Sequence, residues 1–107
     1  MAAIVNLKGR KPQQLLPGEI YCGRPIHMGG WNLAGSKWAN PFKVGSNCSS
    51  PDECMLYYMT HIMTSPELFS ALPELRGQTL ACWCKPNRCH CDILVHLLQT
   101  YYPLNTI

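Results

Sequence analysis

The feature that most constrains this chain is the run Cys82-Trp83-Cys84-Lys85-Pro86-Asn87-Arg88-Cys89-His90-Cys91. The residues leading into it, 78–83, carry apolar side chains on both faces, the pattern of a central strand covered on two sides. After it, Ile93, Leu94, Leu97, Leu98 and Tyr101 recur at helical spacing until Pro103 ends the helix. The run is therefore a strand-to-helix turn that concentrates thiols, an imidazole and two cations. At about 100° per residue, His90 falls near the middle of the helix's apolar face, with Cys89 at its edge. Asp92, His96 and Gln99 point away. An inward histidine must find a partner, because an unpaired buried polar group is costly.

Three readings of this turn compete. In the first, Cys82, Cys84, Cys89 and His90 hold a metal, since three thiolates and an imidazole are an ordinary zinc set. An iron–sulfur cluster is a minor form of the same reading. The spacing C-x-C-x4-C-H differs from the usual chelate. Residues two apart on a strand are also separated by about 6.6 Å. Two sulfurs on one tetrahedral zinc lie about 3.8 Å apart, from bonds of about 2.3 Å, so the strand would have to bend near Cys84. In the second reading the helix start binds an anion or nucleotide through its free N–H groups, with Lys85 and Arg88 contributing charge. The same field favours the Cys89 thiolate, making Cys89 a candidate nucleophile and His90 a candidate acid–base. In the third, the cysteines are small buried hydrophobes and His90 bonds a backbone carbonyl.

The rest of the chain supplies a frame. Residues 18–22 read as a short strand stopped at Gly23. Residues 23–48 form a long loop rich in Gly, Asn, Ser and Pro, and its two tryptophans favour a packed loop. Ser50-Pro51-Asp52-Glu53 is a helix start with a capping box, and the helix runs to Met63. Ser65-Pro66-Glu67 starts a shorter helix through Leu72, closed by Pro73. Strands alternate with helices, so the expectation is one α/β layered domain over residues 1–107, with a sheet of three or four strands and helices packed on it.

Composition narrows the classes. Hydrophobic residues are 47% and charged residues 14% of the 107, which suits a buried core and argues against disorder. No apolar run has the length to cross a membrane, and the first residues are too short and polar for a signal peptide. An intracellular, cytoplasmic protein is expected, with virion or host nucleus as the setting if it is virus-encoded. Seven cysteines, an odd number, argue against a disulfide framework, and Cys48 and Cys54 read as spare thiols. A net charge of +3, with Lys8, Arg10 and Lys11 close together, is a mild basic bias that gives nucleic acid weak support as a partner.

Other residues carry two readings each. Arg24 is a phosphate clamp or a solvated loop arginine. Asn40 organises its own turn or meets a ligand, and Lys37 and Trp38 flank that position. His27 is a weak ligand candidate, and His61 reads as packing or surface.

Tyr21 to Pro25, Ser36 to Phe42, Leu75 to Gly77, Leu80 to Pro86 and Cys89-His90 together resemble domain-of-unknown-function family 4326, which occurs in bacteria, phages and large DNA viruses. The resemblance covers about residues 20–98. It implies that Arg24, Asn40, Cys82, Cys84, Cys89 and His90 belong to one site, and it brings no reaction with it. The family's pattern has glycine where this chain has Ala39 and Cys91, so Cys91 reads as a local addition. The expected function is binding of, or action on, a small anionic, nucleotide-like ligand. Catalysis stays open, with Cys89 and His90 as its residues and Arg24, Asn40, Lys85 and Arg88 as ligand contacts. The alternative is a zinc-binding module that contacts protein or nucleic acid without catalysis.

Overall fold

The computed structural model describes residues 3–83 and 89–103. Three parallel strands form the sheet in the order β1-β3-β2, with β1 at Ala3–Asn6, β2 at Glu19–Tyr21 and β3 at Thr79–Cys82. As its apolar run predicts, β3 is the central strand. Ile4 and Ile20 flank Leu80 in register, and Val5 and Tyr21 flank Ala81. The first strand has no counterpart among the sequence expectations. It is a four-residue edge strand, too short to show alternation, and only pairing with β3 makes it a strand.

Ser50 caps α1 (Pro51–Met63), its side chain accepting from the Glu53 N–H at 3.1 Å. The Glu53 carboxylate reaches back one residue further than a capping box requires, accepting from the Ser49 N–H at 2.8 Å. The second helix, α2 (Pro66–Ala71), is shorter than expected and passes into a 3-10 turn, Leu72–Leu75, that includes Pro73. A proline tolerates the first turn of such a helix because that N–H needs no partner. The last helix, α3, spans His90–Tyr101 with Cys89 as its N-cap.

The sheet is covered on both faces, as parallel sheets require. One face packs under the helices, where Leu80 and Cys82 meet Tyr58, Ile62, Leu72, Leu94 and Leu97. Burying each such leucine contributes about 1.5–3 kcal/mol. The other face packs against the long loop through Leu7, Tyr21, Ala81 and Trp31, with Trp83 edge-on to Trp31 at 5.2 Å between ring centres. The loop tryptophans are thus anchors, Trp31 on this face and Trp38 in the helical core. Of the residues expected along the apolar face of α3, Leu94, Leu97 and Leu98 are buried. Tyr101 is about half exposed, its ring against Phe69. No helix among the described residues is long and apolar enough to cross a membrane.

Cys48 and Cys54 are not spare thiols. They form a disulfide that ties the loop to the first turn of α1. Both cysteines are buried, and the capped helix start brings their Cα atoms to 5.5 Å, within the usual bridging range.

Candidate functional site

The carboxyl ends of β2 and β3 and the start of α3 meet at one place. Parallel pairing sets Tyr21 beside Ala81, so the next residues, Cys22 and Cys82, lie side by side under the helices. Above them opens a cavity of about 490 Å3. Tyr21, Gly23, Cys82, Trp83 and His90 come to it from the strand ends and α3. Arg24, Asn40, Phe42, Lys43 and Val44 come from the long loop, and Cys54 and Met55 from α1. In layered α/β folds this edge of the sheet is where ligands bind.

His90 is buried, and its Nε2 lies 2.5 Å from the carbonyl oxygen of Cys22. A carbonyl only accepts, so Nε2 carries the proton and donates. Nδ1 then faces the Cys89 sulfur at 3.8 Å, and the ring stands edge-on to Tyr58 at 5.2 Å. Burial pulls the His90 pKa down, but Cys89, the Cys22 carbonyl and Cys82 oppose it and leave the pKa raised overall. Tyr58 donates to the Trp38 carbonyl at 2.7 Å, and burial raises its pKa.

Cys89 is 1% exposed. Its sulfur and the Asp92 carboxylate cap α3 reciprocally, and the Cys89 N–H donates to Asp92 Oδ2 at 3.1 Å. The sulfurs of Cys82, Cys89 and Cys91 lie within 4.8 Å of one another, a group that could hold a metal ion. Contacts with the thiols of Cys22, Cys82 and Cys89 push the Cys91 pKa up. The described cluster thus includes Cys91 and excludes His90. Cys84, Lys85 and Arg88 lie outside the described residues.

Arg24 reaches the loop. Its Nη2 donates to the carbonyls of Asn40 at 2.8 Å and Phe42 at 3.3 Å, holding residues 40–42 against the end of β2. Asn40 organises its own turn, its Oδ1 accepting from the Phe42 N–H at 2.9 Å. Both residues still border the cavity. Tyr21 donates to the Arg24 carbonyl at 2.6 Å and accepts from Trp83 Nε1 at 2.9 Å. Burial raises the Tyr21 pKa, keeping it a neutral donor. Gly23 is needed for sterics, because a Cβ there would stand 2.5 Å from Tyr21 Oη.

The remaining candidates sit apart from the cavity lining. His27 pairs with Asn32 at 2.6 Å, His61 stacks edge-on to Phe42, and Lys37 bonds Glu74 at 2.6 Å beside Trp38. Arg10 is committed to a two-pronged bond with Glu19, which leaves Lys8 and Lys11 as the exposed members of the N-terminal basic group. Cys22 and Lys43 were missed as site residues. Cys22 had one legible signal, its place at the end of a strand, where neighbouring strands converge. Lys43 had none.

Residues 5–100 match the family described as "Domain of unknown function (DUF4326)". A relative from Acanthamoeba polyphaga mimivirus, "Uncharacterized protein R718", is 38% identical over 81 residues, covering 76% of this chain and 61% of that protein. The chain therefore spans about three-fifths of that relative's length. No solved structure matches significantly.

Proposed function

The chain belongs to the DUF4326 family, whose description assigns no activity, and from the chemistry of its own site we propose that it binds a small anionic, nucleotide-like molecule. The observation that carries this is the cavity at the carboxyl ends of β2 and β3, bordered by aromatic rings and by two cations. Its volume of about 490 Å3 falls in the range of small-molecule sites. Phe42, Tyr21 and Trp83 offer flat apolar surface to a base. Arg24 and Lys43 offer charge to a phosphate. Arg24 spends Nη2 on two carbonyls, and a guanidinium has further donors on Nη1 and Nε. Asn40 spends its oxygen on its own turn, so its amide nitrogen is the donor to offer a ligand. Lys85 and Arg88, which lie between Trp83 and Cys89 in the sequence, are proposed as further anion contacts.

In this reading His90 is a polar contact at the cavity floor, and Cys89 and His90 are the residues on which catalysis would rest. A nucleophilic role for Cys89 requires the first turn of α3 to open, because its sulfur is buried and caps that turn. Titration calorimetry with adenosine diphosphate and with inorganic phosphate tests the proposal. Saturable binding that weakens about tenfold in Lys43→Ala, a loss of about 1.4 kcal/mol, supports it. Absence of heat at millimolar concentration of both probes, or binding indifferent to Lys43 and Arg24, overturns it.

A second reading is favoured by the convergence of Cys82, Cys89 and Cys91. The domain would be a zinc-stabilised binding module without catalysis, its surface meeting a protein or nucleic acid. Zinc bound only to the folded state stabilises that state. A chelator should then lower the melting temperature of protein purified without an affinity tag. An unchanged melting temperature with no bound metal would remove this reading.

A further inference from the structure

Four cysteines from three chain segments converge beneath the cavity: Cys22 after β2, Cys82 ending β3, and Cys89 and Cys91 at the start of α3. All four are at most 1% exposed. Two local features bring them together. Parallel register sets Cys22 beside Cys82, at the spacing of adjacent strands, about 4.8 Å. Residues two apart on a helix ordinarily face opposite sides, about 200° apart. Cys89, however, is an extended cap (φ −136°, ψ 145°) and lies outside the helix proper. Its sulfur turns back over the first turn, while Cys91, already helical, points down to the sheet.

We propose that Cys22, Cys82, Cys89 and Cys91 together hold one zinc ion as a closed structural site tying the ends of β2 and β3 to α3. This rests on the metal-holding reading above and assigns it a ligand set. Three of the sulfurs are within 4.8 Å of one another, and Cys22 touches Cys91. Tetrahedral zinc needs sulfurs about 3.8 Å apart, so contraction by about an ångström suffices for Cys82, Cys89 and Cys91, and Cys22 joins them by turning from its bond to the Ile20 carbonyl. The donors are all thiols with no carboxylate among them, which selects a soft, thiophilic ion. Loading is an acid–base exchange without electron transfer: four thiols lose four protons as four Zn–S bonds form. The resulting charge sits at the amino end of α3, where backbone N–H groups favour thiolates, and the Asp92 N–H already meets the Cys89 sulfur. His90 orients the set from outside: its Nε2 is committed to the Cys22 carbonyl, and neither ring nitrogen joins the group that Cys82, Cys89 and Cys91 form.

X-ray absorption of the zinc-loaded full chain tests the assignment without any substitution. Four sulfurs at about 2.3 Å and no nitrogen are expected, whereas three sulfurs and one nitrogen overturn it. Cobalt substitution adds a second readout, because sulfur-to-cobalt charge-transfer intensity follows the number of coordinated thiolates. Cys91→Ser and Cys22→Ser should each remove one thiolate. Each should also weaken zinc binding by more than the about 10–100-fold that loss of an outer-shell partner costs. Cys84→Ser and His90→Gln should retain the four-thiolate spectrum. A spectrum that loses intensity in Cys84→Ser but not in Cys91→Ser leaves the metal-holding reading standing and sinks this ligand set. Failure of the wild-type chain to take up zinc or cobalt sinks both.

Discussion

His90 Nε2 donates to the carbonyl of Cys22, 68 residues earlier in the chain, across 2.5 Å. This bond joins the first turn of α3 to the end of β2, two elements far apart in the chain. It also settles the tautomer, leaving Nδ1 toward Cys89. His90→Ala removes the donor and leaves a buried carbonyl unpaired, at a cost of about 1–3 kcal/mol. For a chain of this size that is a fall of several degrees in melting temperature. Urea unfolding at fixed pH checks it, and an unchanged midpoint would show that water or another donor replaces the imidazole.

The contact between Gly23 and the Tyr21 ring makes a sharper steric test. A methyl group at position 23 would stand 2.5 Å from Tyr21 Oη and 2.7 Å from Cζ, closer than any atoms can pack. Gly23→Ala must therefore displace the tyrosine and break its bond to Trp83 Nε1. Overpacking of this kind costs about 1–3 kcal/mol. Tryptophan fluorescence should shift with the stability loss. A Gly23→Ala variant of wild-type stability and emission would count against this close packing.

Glu19 predicts a pH dependence. The bond from Arg10 holds its carboxyl below the usual carboxylate range, burial opposes that, and the Leu16 N–H adds to it. Because the folded pKa is the lower one, the contribution is fully present above the ordinary value of about 4.3. It is lost as pH falls through the depressed folded value. Glu19→Gln should be less stable than wild type near neutral pH, and the gap should close on acidification. A gap constant from neutral pH down into the carboxylate range would contradict the assignment.

The disulfide between Cys48 and Cys54 closes a short loop at the cavity wall. Chain-entropy arguments give such a loop about 2 kcal/mol of stabilisation. The double variant Cys48→Ala with Cys54→Ala should lose about that much by urea unfolding in the absence of reductant. Measuring the variant in place of adding reductant leaves the thiols beneath the cavity untouched. A double variant as stable as the wild type would mean that α1 capping alone holds this loop.

What the sequence determined by itself was local. Ser50-Pro51-Asp52-Glu53 specifies the start of α1 because a cap, a proline and two acids satisfy the same few N–H groups within one turn. The spacing of Leu94, Leu97 and Leu98 specifies the buried face of α3, and the unbroken apolar run specifies β3 as the covered central strand. The family likeness, too, was legible in the motif residues and agrees with the match over residues 5–100. Only the tertiary structure decided which distant residues meet. β1 exists because β3 offers it a ladder, and Cys48 reaches Cys54 because the capped helix start turns the loop back. Arg24 spends a nitrogen on loop carbonyls, and Cys91, which reads along the chain as a local addition, joins Cys82 and Cys89. The physical reason is common to all of these: capping and periodicity act within a few residues, whereas strand order, register and the fold-back of a cap depend on contacts that no short segment encodes.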